Sequence, residues 1–306
     1  MENLKKNDIY SDVIEEIDLK EILYALWNRK FFIFGATSLF ALISIIYALN
    51  LPNIYKSDAL LMPQEEESAM GGMLGQYSGM ASLAGINVPS DSTTKSQEAL
   101  HRINSFEFFS KHFLPNIALE DLLAETKWDS LNNKLIYDQS IFNSESRKWL
   151  REVPSPQEAY KTFTGVMSAE EDKRTSFVYL SIKHISPLVA QQWTELIIKQ
   201  IDQVMRDLDR EEAIKSVDYL NSLNTTLRYE EIKKALSSLQ QEQMKRLMMI
   251  EANENYVFKV LEPPIVKETK SEPQRGLIVM LASILGMVLS ALFSLFLHYT
   301  RNKFAE

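Results

Sequence analysis

Residues 31–49 read FFIFGATSLFALISIIYAL and residues 277–297 read LIVMLASILGMVLSALFSLFL, and neither stretch carries a charge. The shorter, at nineteen residues, spans roughly 28 Å as a helix at about 1.5 Å per residue, close to the hydrocarbon thickness of a bilayer. A buried core helix or, for the first stretch, a cleaved signal peptide are the competing readings. The signal peptide fits poorly, because thirty residues precede the apolar run and the run is too long for an h-region. A soluble chain of 306 residues would not ordinarily place two such runs at opposite ends. The sequence therefore predicts two transmembrane helices, 31–49 and 277–299.

Lysine and arginine set the expected orientation. Lys20, Arg29 and Lys30 lie in the twenty residues before the first span, whereas only Lys56 lies in the twenty after it. The positive-inside rule keeps segment 1–30 in the cytoplasm. The second span is less cooperative, with Lys259, Lys267, Lys270 and Arg275 before it against Arg301 and Lys303 after it. A loop as long as 50–276 translocates largely regardless of its charge, so two spans return tail 300–306 to the cytoplasm. The expectation is a bacterial inner-membrane protein with most of its chain, 50–276, in the periplasm. Neither cytoplasmic segment is large enough to fold as a kinase, cyclase or signalling coiled coil.

Composition narrows the function. Charged residues make up 24% and hydrophobic residues 45%, ordinary values for a folded protein. A net charge of -8 argues against a nucleic-acid partner. The chain has no cysteine, which excludes disulfides, thiolate metal sites and cysteine nucleophiles. It has no Gly-Lys dipeptide and hence no phosphate loop, and neither H-E-x-x-H nor G-x-S-x-G occurs. His184 falls in an expected strand and His298 at a membrane boundary. His101 and His112, even on one helix, stand about 16 Å apart along its axis, too far to ligate one metal directly. The acidic pairs Glu170-Glu171 and Glu211-Glu212 are adjacent in sequence, so on a helix they point apart and read as solvated surface. No catalytic residue, cofactor or metal is predicted.

Residues 54–62 (IYKSDALLM) and 176–185 (SFVYLSIKHI) alternate apolar and polar side chains as half-buried strands do, and 256–261 (YVFKVL) reads as a third strand. Glu65, Glu66 and Glu67 lead into a glycine- and methionine-rich stretch, 68–86. It reads as a mobile loop or as one that packs on a neighbouring subunit or the membrane surface. Residues 92–113 predict one helix with Leu100, Ile103, Phe106 and Phe109 on a face, and 119–125 and 158–167 two short ones. The rest of 130–170 reads as irregular, with Pro154 and Pro156 as breaks.

Ser186 and Pro187 form a strong helix start, a cap followed by proline at the first helical position. The long helix they open is expected over about 187–253. Its broad apolar stripe narrows to a seam of Val217, Leu220 and Leu223, and a turn or kink falls at 221–226, where helix propensity drops. Such a seam needs covering by another helix, from the same chain or a neighbour. In the second span, Ala282, Gly286 and Ser290 are spaced by four, a ridge that permits close helix approach; Thr37 with Ala41 and Ser44 with Ala48 offer the same in the first. The predicted fold class is an α+β periplasmic domain, a small membrane-proximal sheet plus a long projecting helix, with two transmembrane α-helices.

Three stretches carry a family likeness: IDLKEILYALWNRKFFI at 17–33, IYKSDALLMP at 54–63, and YVFKVLEPPIVKETKSEPQRGLIVMLASILG at 256–286. They resemble the polysaccharide co-polymerases, the Wzz-type chain-length determinants. Leu26, Trp27 and the basic pair match the approach to the first span, and Pro263, Pro264, Pro273 and Arg275 fall on the proline-rich segment before the second. The prolines are less regularly spaced than in the commonest version of that pattern. The resemblance implies a homo-oligomeric ring that sets the modal length of a lipid-linked polysaccharide made by a separate integral-membrane polymerase. It implies lipopolysaccharide O-antigen more than capsule or exopolysaccharide, since this chain lacks the tyrosine kinase of some relatives. A capsule regulator with a separate cytoplasmic kinase, a two-span periplasmic sensor subunit and a periplasmic enzyme remain as alternatives.

Overall fold

The computed structural model describes residue 24 and residues 26–64, 95–224 and 230–303; the loop 68–86 lies outside them. The chain divides into two compact units, one of residues 1–52 and 272–306, the other of 53–271.

The first unit is a pair of apolar helices, α1 (Lys30–Asn50) and, last in the chain, α7 (Arg275–Lys303). Both are long and apolar enough to cross a membrane, the second over Arg275–Leu297. They run antiparallel. Phe32 meets Phe293 at 6.0 Å at one end, while the Arg275 guanidinium donates to the carbonyl of Ala48 at 2.9 Å at the other. Arg275 also reaches the Leu51 carbonyl at 3.4 Å, so a cation satisfies orphan acceptors at the negative end of α1.

The second unit is α+β. Its sheet has the order β6-β7-β1-β8, with β1 (Tyr55–Pro63), β6 (Met167–Glu171), β7 (Val178–His184) and β8 (Phe258–Glu262), and every pairing is antiparallel. The expected strands are present within two residues of their predicted ends. Edge strand β6 was not expected; Ser168 and Glu170 are its exposed positions and Met167 and Ala169 its buried ones, too short an alternation to stand out.

Helix α2 (Lys95–Ile103) stops ten residues short of its predicted end. The chain breaks at Asn104–Ser105, where the Ser105 hydroxyl accepts the Phe108 N–H and caps a new run, α-type over Phe106–Phe108 and π-type over Phe109–Phe113. His101 and His112 therefore sit on different helices. Helix α3 (Leu119–Leu123) follows, then two hairpins in the region read as irregular. They pair β2 (Glu125–Asp129) with β3 (Lys134–Tyr137), and β4 (Phe142–Asn143) with β5 (Lys148–Trp149). Helix α4 (Pro156–Val166) starts at a Ser155 cap with proline at its first turn.

The stretch 187–253 is two helices rather than one rod, α5 (Pro187–Asn224) and α6 (Glu230–Ala252). Asn221 meets Gln240 at 2.8 Å and Arg210 meets Glu251 at 2.6 Å, so α6 returns antiparallel along α5. The first half of α5 lies on the sheet. There Phe109, Phe113 and Phe163 stack with centroids 4.6 to 5.9 Å apart, and the edge of Trp193 closes on Phe113 at 5.6 Å. Leu61, Leu180, Ile182, Ile197 and Ile201 complete a core that is fully buried.

Candidate functional site: the helical hairpin and its clasp

A hairpin of two helices in water holds together only if its seam is closed, and here ionic groups close it at the base. Asp202 of α5 accepts the backbone N–H groups of Tyr256 (2.7 Å) and Val257 (3.0 Å), fixing the chain as it leaves α6 for β8. Its second oxygen takes Arg206 at 2.8 Å, four residues on. Arg206 donates in turn to the carbonyls of Ile250 and, at 3.3 Å, Glu254, which satisfies the carboxyl end of α6.

One turn further out, Asp209 gathers Lys95 (2.8 Å), the Tyr256 hydroxyl and Arg246 (3.4 Å). Burial pushes the Asp209 carboxyl up, but hydrogen bonds from Lys95 and Tyr256 and the charges of Lys95 and Arg246 outweigh it and leave it below the usual carboxylate range. Burial and the bond to Asp209 push the Tyr256 hydroxyl up to about 12. Lys95 lies 4.2 Å over the Tyr256 ring and Arg206 5.2 Å from it, so two cations meet this ring.

Beyond the clasp the hairpin exposes apolar side chains. Ile214 and Tyr219 on α5 and Leu239, Met244, Met248 and Met249 on α6 are all exposed. A groove of about 430 Å³ follows α6 along Gln240, Met244 and Met248.

The predicted seam residues Val217 and Leu220 are half-buried on α5, alongside α6; the side chain of Leu223 lies outside the described residues. Ser186 and Pro187 stand at the start of α5, with the Ser186 hydroxyl 3.5 Å from the Val189 N–H. Pro263 and Pro264 follow β8, and Pro273 precedes α7 in a cis Glu272-Pro273 peptide.

Ala282 is half-buried, and Gly286 and Ser290 are buried on α7. A Cβ on Gly286 would stand 2.7 Å from the Cβ of Phe40, so this close approach is between α7 and α1 of the same chain. Leucine there must displace Phe40. Gly286→Leu is expected to destabilise the helix pair by about 1–3 kcal/mol, read as a lower midpoint of thermal unfolding in detergent. An unchanged midpoint would contradict the contact.

The clasp residues Asp202, Arg206, Asp209, Tyr256 and Lys95 were not singled out from the sequence. The available signal was an Asp and an Arg four apart, beside an apolar stripe rather than opposite it.

A family model described as Wzz, chain length determinant protein, matches residues 15–104. Over those residues the chain is similar to the Wzz family. The Wzz match takes in α1, β1 and α2, and with them the first two of the three stretches that carried the resemblance; the third, 256–286, lies beyond it. Two solved structures are similar to the chain. A full-length bacterial polysaccharide co-polymerase is 15% identical, with 94% of this chain and 100% of that one covered and a TM-score of 0.41. A fragment of WzzB, the polysaccharide co-polymerase from Salmonella Typhimurium, is 13% identical, with 72% and 100% covered and a TM-score of 0.27. No curated protein matches the chain.

Proposed function

We propose that this chain sets the modal length of a lipid-linked surface polysaccharide, as a homo-oligomeric co-polymerase acting beside a separate membrane polymerase. The observation that carries the reading is the Wzz match over 15–104, which takes in the first candidate span and the first strand of the sheet. A second candidate span after the sheet supports anchoring of both ends in the inner membrane. In this reading residues 50–276 face the periplasm, both termini face the cytoplasm, and the polysaccharide is the O-antigen of lipopolysaccharide.

The chain contributes no catalytic group in this role. It offers the polymerase and neighbouring copies a contact surface. The exposed methionines of α6 suit that purpose, because an unbranched thioether side chain repacks readily against different partners. Pro263, Pro264, Pro273 and Arg275 would hold the approach to the second span.

Deleting the chain from its host and displaying lipopolysaccharide on a gel tests this directly. The expected result is loss of the modal band while synthesis continues. Unchanged banding together with altered capsule length would move the role to capsule or exopolysaccharide, and unchanged lengths of both would overturn it.

A further inference from the structure

His184 ends β7, two residues before the cap of α5, and is only 4% exposed. Its Nε2 lies 2.8 Å from the Asp121 carbonyl on α3, and the Ser186 N–H donates to its Nδ1 at 2.9 Å. A carbonyl only accepts and a backbone N–H only donates, so the partners dictate a neutral ring with its proton on Nε2. A second proton would sit on Nδ1, pointing at the Ser186 N–H. It would also put a positive charge at the positive end of a 38-residue helix.

The surroundings do little to compensate. From α3 come Asp121 and Glu120. The Asp121 carboxylate is bonded to the Tyr137 hydroxyl of β3 at 2.6 Å, and Glu120 is ion-paired to Arg147 between β4 and β5. Tyr55 of β1 lies opposite His184 in the ladder, Lys183 precedes it, and α5 presents the edge of Trp193 at 4.9 Å. Among the described residues the Asp121 charge favours an imidazolium, but burial outweighs it and holds His184 below the ordinary histidine range. Burial also raises Asp121, so acid removes this charge early.

We propose that His184 is a proton-operated latch for the module formed by α3 and the two hairpins, residues 119–150. Neutral, it ties the Asp121 carbonyl to the Ser186 N–H at the head of α5; a second proton, on Nδ1, breaks the link to Ser186 and with it the tie. The released ring takes up protons at its ordinary value, near 6.5, and the latched ring only at lower pH. Latching is therefore at full strength above pH about 6.5 and weakens as pH falls below it, until the latched ring itself titrates. Glu125 acts in the opposite sense, since burial raises it to about 7 and acid relieves its charge.

Deuterium exchange of the full-length protein in detergent, at pH 7.5 and pH 5, separates the two. The comparison is with His184→Gln, which keeps a donor and cannot charge. Glu125 and the intrinsic pH dependence of exchange are common to both chains and cancel in the ratio. Over 119–150, acid is expected to speed exchange in the His184 chain about tenfold more than in the variant. A difference below threefold overturns the latch. Should the variant fail to fold, a chain with Trp193 as its sole tryptophan (Trp27, Trp128 and Trp149→Phe) decides. Quenching of Trp193 with a midpoint below pH 6.5 supports the latch, and no transition between pH 8 and 4.5 overturns it.

Discussion

Phe113→Ala is expected to destabilise the α+β body by about 3–5 kcal/mol, the cost of removing a fully buried aromatic ring whose site collapses poorly. Collapse is hindered because Phe109, Phe163 and Trp193 press on that ring from three elements, each anchored by its own backbone. In a body of this size the loss corresponds to a fall of about 10 °C in the unfolding midpoint. Circular dichroism of the detergent-solubilised protein measures it. A fall of less than about 2 °C would mean that the aromatic stack is not the centre of the core.

The second large effect is expected at Asp202. Alanine leaves two backbone N–H groups without their acceptor and strips a nearly buried guanidinium, Arg206 at 12% side-chain exposure, of its counter-charge, leaving it only the Ile250 and Glu254 carbonyls. Unpaired groups of this kind cost more than the original bond contributed, and the expected loss is about 2–4 kcal/mol. Asp202→Asn keeps one oxygen for the N–H pair and should lose roughly half as much. Urea denaturation gives the total, and limited proteolysis shows whether cleavage concentrates at 253–257, where the clasp holds the chain. If alanine leaves both unchanged, the hairpin is held by its apolar seam alone.

What the sequence made legible follows from the range of the forces involved. The two apolar helices and the strands β1, β7 and β8 were readable because a local pattern, a charge-free run or a two-residue alternation, is sufficient for each. The cap at Ser186-Pro187 was readable for the same reason. The break at Asn104–Ser105 was not, since Leu100, Ile103 and Phe106 keep a helical spacing across it and only the Ser105 side chain decides against continuation. The β2-β3 and β4-β5 hairpins escaped notice because their strands are two to five residues long and stabilised by contacts such as Phe142 with Tyr137 and Trp149.

The clasp was the least legible part. Asp209 meets Lys95 and Tyr256 across sequence separations that no periodicity reports. A turn or kink after Asn221 was visible as a drop in helix propensity, but its sense was not. Whether α6 continued outward or doubled back depended on Arg210, Arg246 and Gln240 finding Glu251, Asp209 and Asn221.

The β1 strand, next after the first apolar helix, is hydrogen-bonded to β8, and the Ser271 N–H donates to the Ile54 carbonyl at 2.8 Å. The two ends of the body are thus stitched side by side, and the chain departs from where it arrived. Geometrically the body is a cassette: its termini can be joined by a few glycines or grafted onto an unrelated scaffold without stretching anything inside it.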